Sequence, residues 1–166
     1  YYSCGERESA LEYFGCIMSA GQDAVKPLSV FQKAATFRGR TYLELGEYSK
    51  AEKDLRAALV CDADNVLALL SLGDTLTKQK KFEEAVGYLE RAKQGKVDKT
   101  FPIERELVAY SIRFFLGQCC QELGRYSEAR ESFSEACQIM PSRSEAREAL
   151  LQTQSSGSAV ELVYQT

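Results

Sequence analysis

The sequence predicts an all-α protein in which pairs of antiparallel helices stack into a solenoid. Three observations lead to this prediction. Glycine, alanine and aromatic residues recur in register in three segments. The first two segments are offset by 34 residues, which is a period of known helix-pair repeats. The chain has 166 residues, of which 45% are hydrophobic and 27% charged, a composition that suits one globular domain.

Small residues define the register that the three segments share. Glycine in the first helix of a pair allows close approach of the second helix, where a Cβ would collide. We expect the alanines to do the same from the second helix, and the leucine or phenylalanine to wedge between units. The recurring residues are Gly39, Gly73 and Gly117; Ala51, Ala85 and Ala129; Leu55, Leu89 and Phe133; and Ala58, Ala92 and Ala136.

With aromatic residues at Tyr48, Phe82 and Tyr126, this pattern resembles the tetratricopeptide-repeat (TPR) family. The resemblance implies a right-handed α–α superhelix whose concave face is lined by the first helix of each repeat. The chain departs from the family pattern in two ways. The usual tryptophan near each repeat start is absent, and the closing proline occurs only as Pro141.

The predicted organisation is a single TPR domain over 1–154 followed by a flexible tail. Gly5, Ala10 and Phe14 match the turn glycine, alanine and aromatic positions of a second helix, so we expect a half repeat there, in a piece of a longer protein. The tail begins with serine and glycine, and a vector remnant or a docking segment are open alternatives. The predicted units are a half repeat at 1–20, repeats at about 28–63, 66–95 and 102–140, a capping helix at 142–154 and the tail at 155–166.

The turns within repeats have their own signals. Gly46 and Gly124 follow first helices, where a left-handed C-cap is needed, and Lys80 takes the equivalent place less favourably. Asp64 or Asn65 is expected to cap the helix that follows. The third repeat's first helix is predicted from about Pro102 to Glu122.

Catalytic, metal and cofactor sites are not expected. The chain has no histidine and no C-x-x-C pair, which removes the common catalytic triads and zinc ligand sets. The net charge of -3 argues against nucleic acid, and the apolar runs are too short to span a membrane. We therefore expect a protein that is not an enzyme and that has protein partners.

The six cysteines are expected to be reduced. This favours an intracellular, cytoplasmic location, with a nuclear one left open. Cys119 and Cys120 lie about 100° apart on a helix, so at most one of them is expected to face the core.

The resemblance also implies a peptide-binding groove on the concave face. Phe37 and Phe115 occupy groove positions too, but packing is an equally good interpretation of these two aromatics. Glu122 belongs to the same face. The implied groove residues are Lys33, Thr36, Arg40, Glu44, Leu67, Leu70, Ser71, Asp74, Lys78, Ser111, Phe114 and Gln118.

The resemblance to the TPR family allows one known ligand class to be assessed from the residues of this sequence. TPR domains that hold acidic chaperone tails use a fixed set of Lys, Asn and Arg, and the matching positions here are Thr36, Arg40, Ser71, Ser111 and Phe115. Only Arg40 suits a carboxylate, so such a clamp is not expected. The mixed apolar and charged groove favours a partner peptide or helix.

Three functions are compatible with this sequence. The leading hypothesis is a scaffold or adaptor that binds a partner segment in the groove. The alternatives are a structural segment of a large multiprotein assembly, and a regulatory region of an enzyme whose catalytic domain lies outside this chain. Exposed repeat ends and the tail are candidate self-association surfaces.

Overall fold

The computed structural model describes residues 4–20, 28–96 and 105–163, with side chains described at 9–16, 19, 29–96 and 105–154. All regular structure in these ranges is helical. The helices are α1 (Cys4–Ala20), α2 (Leu28–Glu44), α3 (Tyr48–Cys61), α4 (Val66–Lys78), α5 (Phe82–Gln94), α6 (Arg105–Glu122), α7 (Tyr126–Ile139) and α8 (Ser144–Val163).

The helices form three pairs, α2 with α3, α4 with α5, and α6 with α7. Each first helix also contacts the next first helix, since α2 packs on α4 and α4 packs on α6. Within the described ranges, α3 and α5, and likewise α5 and α7, meet only through side chains, as in the ion pairs Arg56–Glu84 and Lys93–Glu135, and none of their Cα atoms approach within 8 Å. The first helices are therefore closer together than the second helices, which places α2, α4 and α6 on the inner, concave side of the stack.

Each pair closes on the glycine of its first helix, as the sequence predicts. A Cβ at any of these glycines would collide with a buried side chain of the second helix. The corresponding distances are 2.7 Å from Gly39 to Leu55 Cγ, 2.5 Å from Gly73 to Leu89 Cγ, and 2.6 Å from Gly117 to Phe133 Cδ1. The leucine or phenylalanine thus packs on the glycine of its own unit, and Leu55 and Leu89 also belong to a core cluster shared with neighbouring repeats, as expected for a wedge between units.

The turns inside the three repeats share one geometry. Gly46, Lys80 and Gly124 have φ angles of 77°, 61° and 73°, so each occupies the left-handed region. The next residue donates its backbone N–H to a carbonyl five positions earlier, which closes the helix end as in a Schellman motif. These bonds are Glu47 to Tyr42 at 2.9 Å, Lys81 to Leu76 at 2.9 Å and Arg125 to Cys120 at 2.8 Å. The predicted turn positions are confirmed.

Helix α4 begins at a side-chain cap. The Asn65 side-chain oxygen accepts the backbone N–H of Ala68 at 2.8 Å, so Asn65 rather than Asp64 is the cap. At the start of the third repeat, α6 is described from Arg105, and the predicted first turn at 102–104 lies outside the described residues.

The two ends differ from the prediction. Gly5 lies inside the first turn of α1 rather than in a preceding turn, because the helix already begins at Cys4. At the other end, α8 continues to Val163, past the predicted end of the capping helix at 154 and into the segment predicted as a flexible tail. Extending an existing helix is much easier than nucleating one, which allows a Ser-Ser-Gly-Ser segment to remain helical.

Cys119 and Cys120 are both buried, which contradicts the expectation that only one faces the core. Cys119 packs with the α4 and α5 core, whereas Cys120 packs with Ala129 and Phe133 of α7. Helix α6 is covered on two sides, by the second repeat and by its own partner helix. Adjacent residues of this helix can therefore both be enclosed.

Candidate functional site

The inner faces of α2, α4 and α6 enclose a cavity of about 390 Å³. This volume falls in the range of known ligand sites. Eight of the twelve sequence-predicted groove residues line it, together with two further apolar residues. The lining residues are Arg40, Leu43, Glu44, Leu67, Leu70, Ser71, Asp74, Lys78, Ser111 and Phe115.

The apolar part of the cavity is firmly anchored in the core. Leu67 and Leu70 are only 5% and 8% exposed. Leu43 and Phe115 are half-buried and pack against the same core cluster as Leu70. These four residues form the apolar floor of the cavity. The floor is therefore a rigid apolar surface contributed by all three inner helices.

Two small residues leave the space open. Ser71 Oγ donates to Leu67 O at 2.7 Å, and Ser111 Oγ donates to Leu107 O at 2.8 Å. Each hydroxyl is thus paired with a carbonyl of its own helix. The contribution of Ser71 and Ser111 to the cavity is their small volume rather than a free hydrogen-bonding group.

Four charged residues line the cavity as two pairs, each with a spacing of four residues along its helix. The positive residue comes first in one pair and the negative residue comes first in the other. On α2, Arg40 is followed by Glu44, and on α4, Asp74 is followed by Lys78. Because Gly39 and Gly73 are in register, Arg40 and Asp74 occupy equivalent positions in adjacent repeats. A cation on one inner helix is therefore aligned with an anion on the next.

Burial acts on both members of this aligned pair. It lowers the pKa of Arg40, an effect that the nearby Glu44 opposes. It raises the pKa of Asp74 from 3.8 to about 6, against the opposing effect of Lys78. Asp74 Oδ1 is enclosed and has no hydrogen-bond partner. The Asp74 carboxylate is thus a poorly compensated charge at the wall of the cavity.

Four predicted groove residues lie outside the cavity lining. Thr36 is fully buried, and its Oγ1 donates to Gln32 O at 2.8 Å. Phe114 turns toward α7 and α8, where it packs against Phe133, and it stacks on Tyr110 of its own helix at 5.8 Å between ring centroids. Lys33 and Gln118 are half-buried at other points of the inner helices.

The two ambiguous aromatics have different roles. Phe37 stacks on Phe14 of α1 at 5.9 Å between ring centroids, so it is a packing residue. Phe115 lines the cavity. Leu43 was not among the predicted groove residues, although its position three residues after Arg40 places it on the same helix face.

A second depression of about 530 Å³ lies at the turn edge of the first two repeats. Polar and charged residues dominate its lining, and Tyr48 is the one large aromatic there. It lacks the apolar floor that anchors a partner's side chains. Its lining residues are Gly46, Glu47, Tyr48, Ser49, Glu52, Gln79 and Lys81.

The part of the chain that the structure describes holds no group of three or more His, Cys, Asp or Glu side chains arranged to bind a metal ion. Within the same residues, no helix combines the length and apolar character required to cross a membrane.

The comparisons with known proteins agree with this architecture. TPR family models match residues 38–98 and 111–143, which together make up more than half of the chain. No curated protein sequence matches the chain.

Similar solved structures include MamA from Desulfovibrio magneticus RS-1, with a TM-score of 0.75 and 16% identity over 97% of this chain and 81% of that one. YrrB, described as a TPR protein with an unusual peptide-binding site, has a TM-score of 0.70 and 21% identity over 93% of this chain and 71% of that one. The second TPR domain of human RPAP3, solved with an HSP70 peptide, has a TM-score of 0.65 and 19% identity over 77% and 98%.

At these identities the structural likeness shows the fold. The family models, the glycine-centred helix pairs and the right-handed superhelix together lead to one conclusion. The chain belongs to the tetratricopeptide-repeat family.

Proposed function

We propose that this protein binds a segment of a partner protein in the concave cavity between α2, α4 and α6. The observation that carries this proposal is the convergence of three inner helices on one cavity with an apolar floor and charged walls. Partner recognition commonly combines buried apolar anchors with a polar rim.

The cavity is suited to side chains of a peptide rather than to a small reactant. Its floor of Leu43, Leu70 and Phe115 can accept an apolar side chain, and its walls carry charges of both signs. Two of the similar structures are described by their peptide binding, namely YrrB and the RPAP3 domain. Those descriptions add support, since the same concave architecture is present here.

The acidic-tail clamp is not part of this proposal. Thr36 is fully buried and unavailable to a ligand. Ser71 and Ser111 already donate to their own helices. Of the clamp positions, only Arg40 offers a cation at the cavity.

Selection from a displayed library of random dodecapeptides tests the proposal. Ser111→Tyr places a ring inside the cavity, whereas the control Ser127→Tyr places the same ring on the exposed surface of α7. Circular dichroism and thermal melting establish that both variants are folded.

We expect the wild type and Ser127→Tyr to enrich the same peptides, and Ser111→Tyr to lose them. If peptides bind the folded Ser111→Tyr variant and the wild type with equal affinity, the cavity is not their binding site. An absence of enriched peptides on the wild type would contradict the proposed function itself.

A further inference from the structure

We propose, resting on the function proposed above, that Asp74 determines specificity by selecting a partner segment that places a lysine or arginine side chain in the cavity. The basic group would meet the Asp74 carboxylate, and its hydrocarbon stem would lie on Leu70 and Phe115. The partner is thus a segment with a basic side chain that enters the cavity beside apolar anchors.

The Asp74 carboxylate lacks the compensation that buried carboxylates usually have. It lines the cavity, its Oδ1 has no hydrogen-bond partner, and no cation in the described ranges lies within ion-pair distance of it. Its neighbour Lys78 is exposed, so that ammonium group is largely hydrated. A half-buried and poorly compensated charge is costly, and a cation supplied by a ligand removes part of that cost.

A second carboxylate in the chain illustrates the difference. Asp54, buried between α2 and α3, accepts two hydrogen bonds from Arg38, at 2.5 and 2.7 Å. Its charge is compensated within the protein. Asp74, on the concave side, has no such arginine, although Arg40 lies in the same cavity.

The apolar lining next to Asp74 suits the stem of a basic side chain. Lysine and arginine bury their methylene groups against apolar surface while the charged end remains paired or hydrated. Leu70 provides an aliphatic surface and Phe115 an aromatic one on which a cation is also favourable. An acidic ligand side chain would instead meet both Asp74 and Glu44.

The ionisable groups that face Asp74 come from three helices. They are Arg40 and Glu44 of α2, Lys78 of α4 itself and Cys119 of α6. Burial raises the pKa of the Cys119 thiol to about 11, so this thiol is neutral near pH 7. From α5, the contact with this part of α4 is the apolar packing of Leu89 on Gly73.

Peptides selected by the wild type from the dodecapeptide library provide the probe. In the tightest binder, each lysine or arginine is replaced in turn by norleucine, which keeps a hydrocarbon chain and removes the charge. Dissociation constants are measured by fluorescence anisotropy on the wild type, Asp74→Asn and Glu44→Gln. Asp74→Asn preserves shape, and Glu44→Gln removes the other carboxylate of the cavity.

We expect basic residues to be enriched among the binders, and one replacement by norleucine to weaken binding to the wild type about tenfold, the scale of a charge-assisted contact. The same replacement should change binding to Asp74→Asn less than about twofold, and Glu44→Gln should behave like the wild type. Wild-type affinity should also fall about tenfold between pH 7.5 and pH 5, because the carboxylate is protonated over that interval.

Three results would overturn this inference while leaving the proposed groove binding intact. They are enriched peptides without basic residues, a norleucine effect that persists in Asp74→Asn, and a norleucine effect that disappears in Glu44→Gln. Failure of the wild type to enrich any peptide would overturn both proposals.

Discussion

Leu89 occupies the space beside Gly73 that a side chain at position 73 would need. A Cβ built on Gly73 would lie 2.5 Å from Leu89 Cγ and 2.6 Å from Leu89 Cδ2. Leu89 is completely buried within the main core cluster, so a shift of its side chain would have to displace other core residues. The same relationship holds α2 against α3 and α6 against α7, so it is the packing contact on which each repeat depends.

Replacing Gly73 by alanine should therefore destabilise the protein. Alanine favours a helix over glycine by about 1 kcal/mol, but overpacking a tight core typically costs about 1–3 kcal/mol. We expect the free energy of unfolding, measured by urea denaturation, to fall by up to about 2 kcal/mol.

Gly87 is the matched control, because it lies within α5 and a Cβ there would have no atom within 4 Å. Gly87→Ala should raise the free energy of unfolding by about 0.5–1 kcal/mol. If both substitutions stabilised the protein, the close contact in the second repeat would be refuted.

Lys80 is the one described residue other than glycine with a left-handed backbone. Glycine adopts this conformation without a Cβ penalty, and glycine stands at the equivalent positions 46 and 124. Lys80→Gly should raise the free energy of unfolding by about 0.5–1 kcal/mol, because the relief of strain exceeds the entropy lost on folding.

The reverse change in the third repeat is the control for Lys80. Gly124→Lys introduces the same strain at a φ of 73° and should lower the free energy of unfolding by about 1 kcal/mol. Thermal denaturation of the two variants side by side measures both effects. Equal stability of Lys80→Gly and the wild type would show that this turn is not strained.

Asp74→Asn should stabilise the protein near neutral pH. The pKa of Asp74 in the folded protein is about 6, above its ordinary value of 3.8, so the folded state holds this proton more tightly than the unfolded state. The free energy of unfolding of the wild type therefore falls as the pH rises from about 4 to about 6 through this group. Above that pH, the contribution of Asp74 to this loss of stability remains constant.

The neutral asparagine avoids that deficit. Urea denaturation near pH 7.5 should show Asp74→Asn to be more stable than the wild type by about 2 kcal/mol, and the difference should shrink toward pH 4. A variant that is less stable at both pH values would mean that the carboxylate is compensated after all. Gained stability with lost binding selectivity would identify Asp74 as a residue kept for function.

Much of the fold is predictable because close packing admits few residue types. Gly39, Gly73 and Gly117 recur where two helices touch, and the offset between them sets the repeat. The left-handed turns are predictable for the same steric reason. The length of α8 is not, because serine and glycine have low helix propensity on their own, while an established helix can still extend through them.

The cavity is predictable at the level of a helix face but not of each side chain. Phe114 and Phe115 differ by about 100° around α6, and the repeat pattern assigns both to the groove. Phe114 instead packs with Tyr110 and Phe133, a choice determined by the arrangement of α7 and α8. Such contacts between distant segments leave no local signal in the sequence, and the same applies to the buried pair of Arg38 and Asp54.

A peptide that binds in the concave cavity must perturb the residues that line it. Titration of nitrogen-15-labelled protein with a selected peptide, followed through the amide chemical shifts, measures this residue by residue. We expect the largest shift changes at Arg40, Ser71 and Ser111 on the inner helices, and small changes along α3, α5 and α7. Changes concentrated on those outer helices, with the inner face unaffected, would contradict binding in the concave cavity.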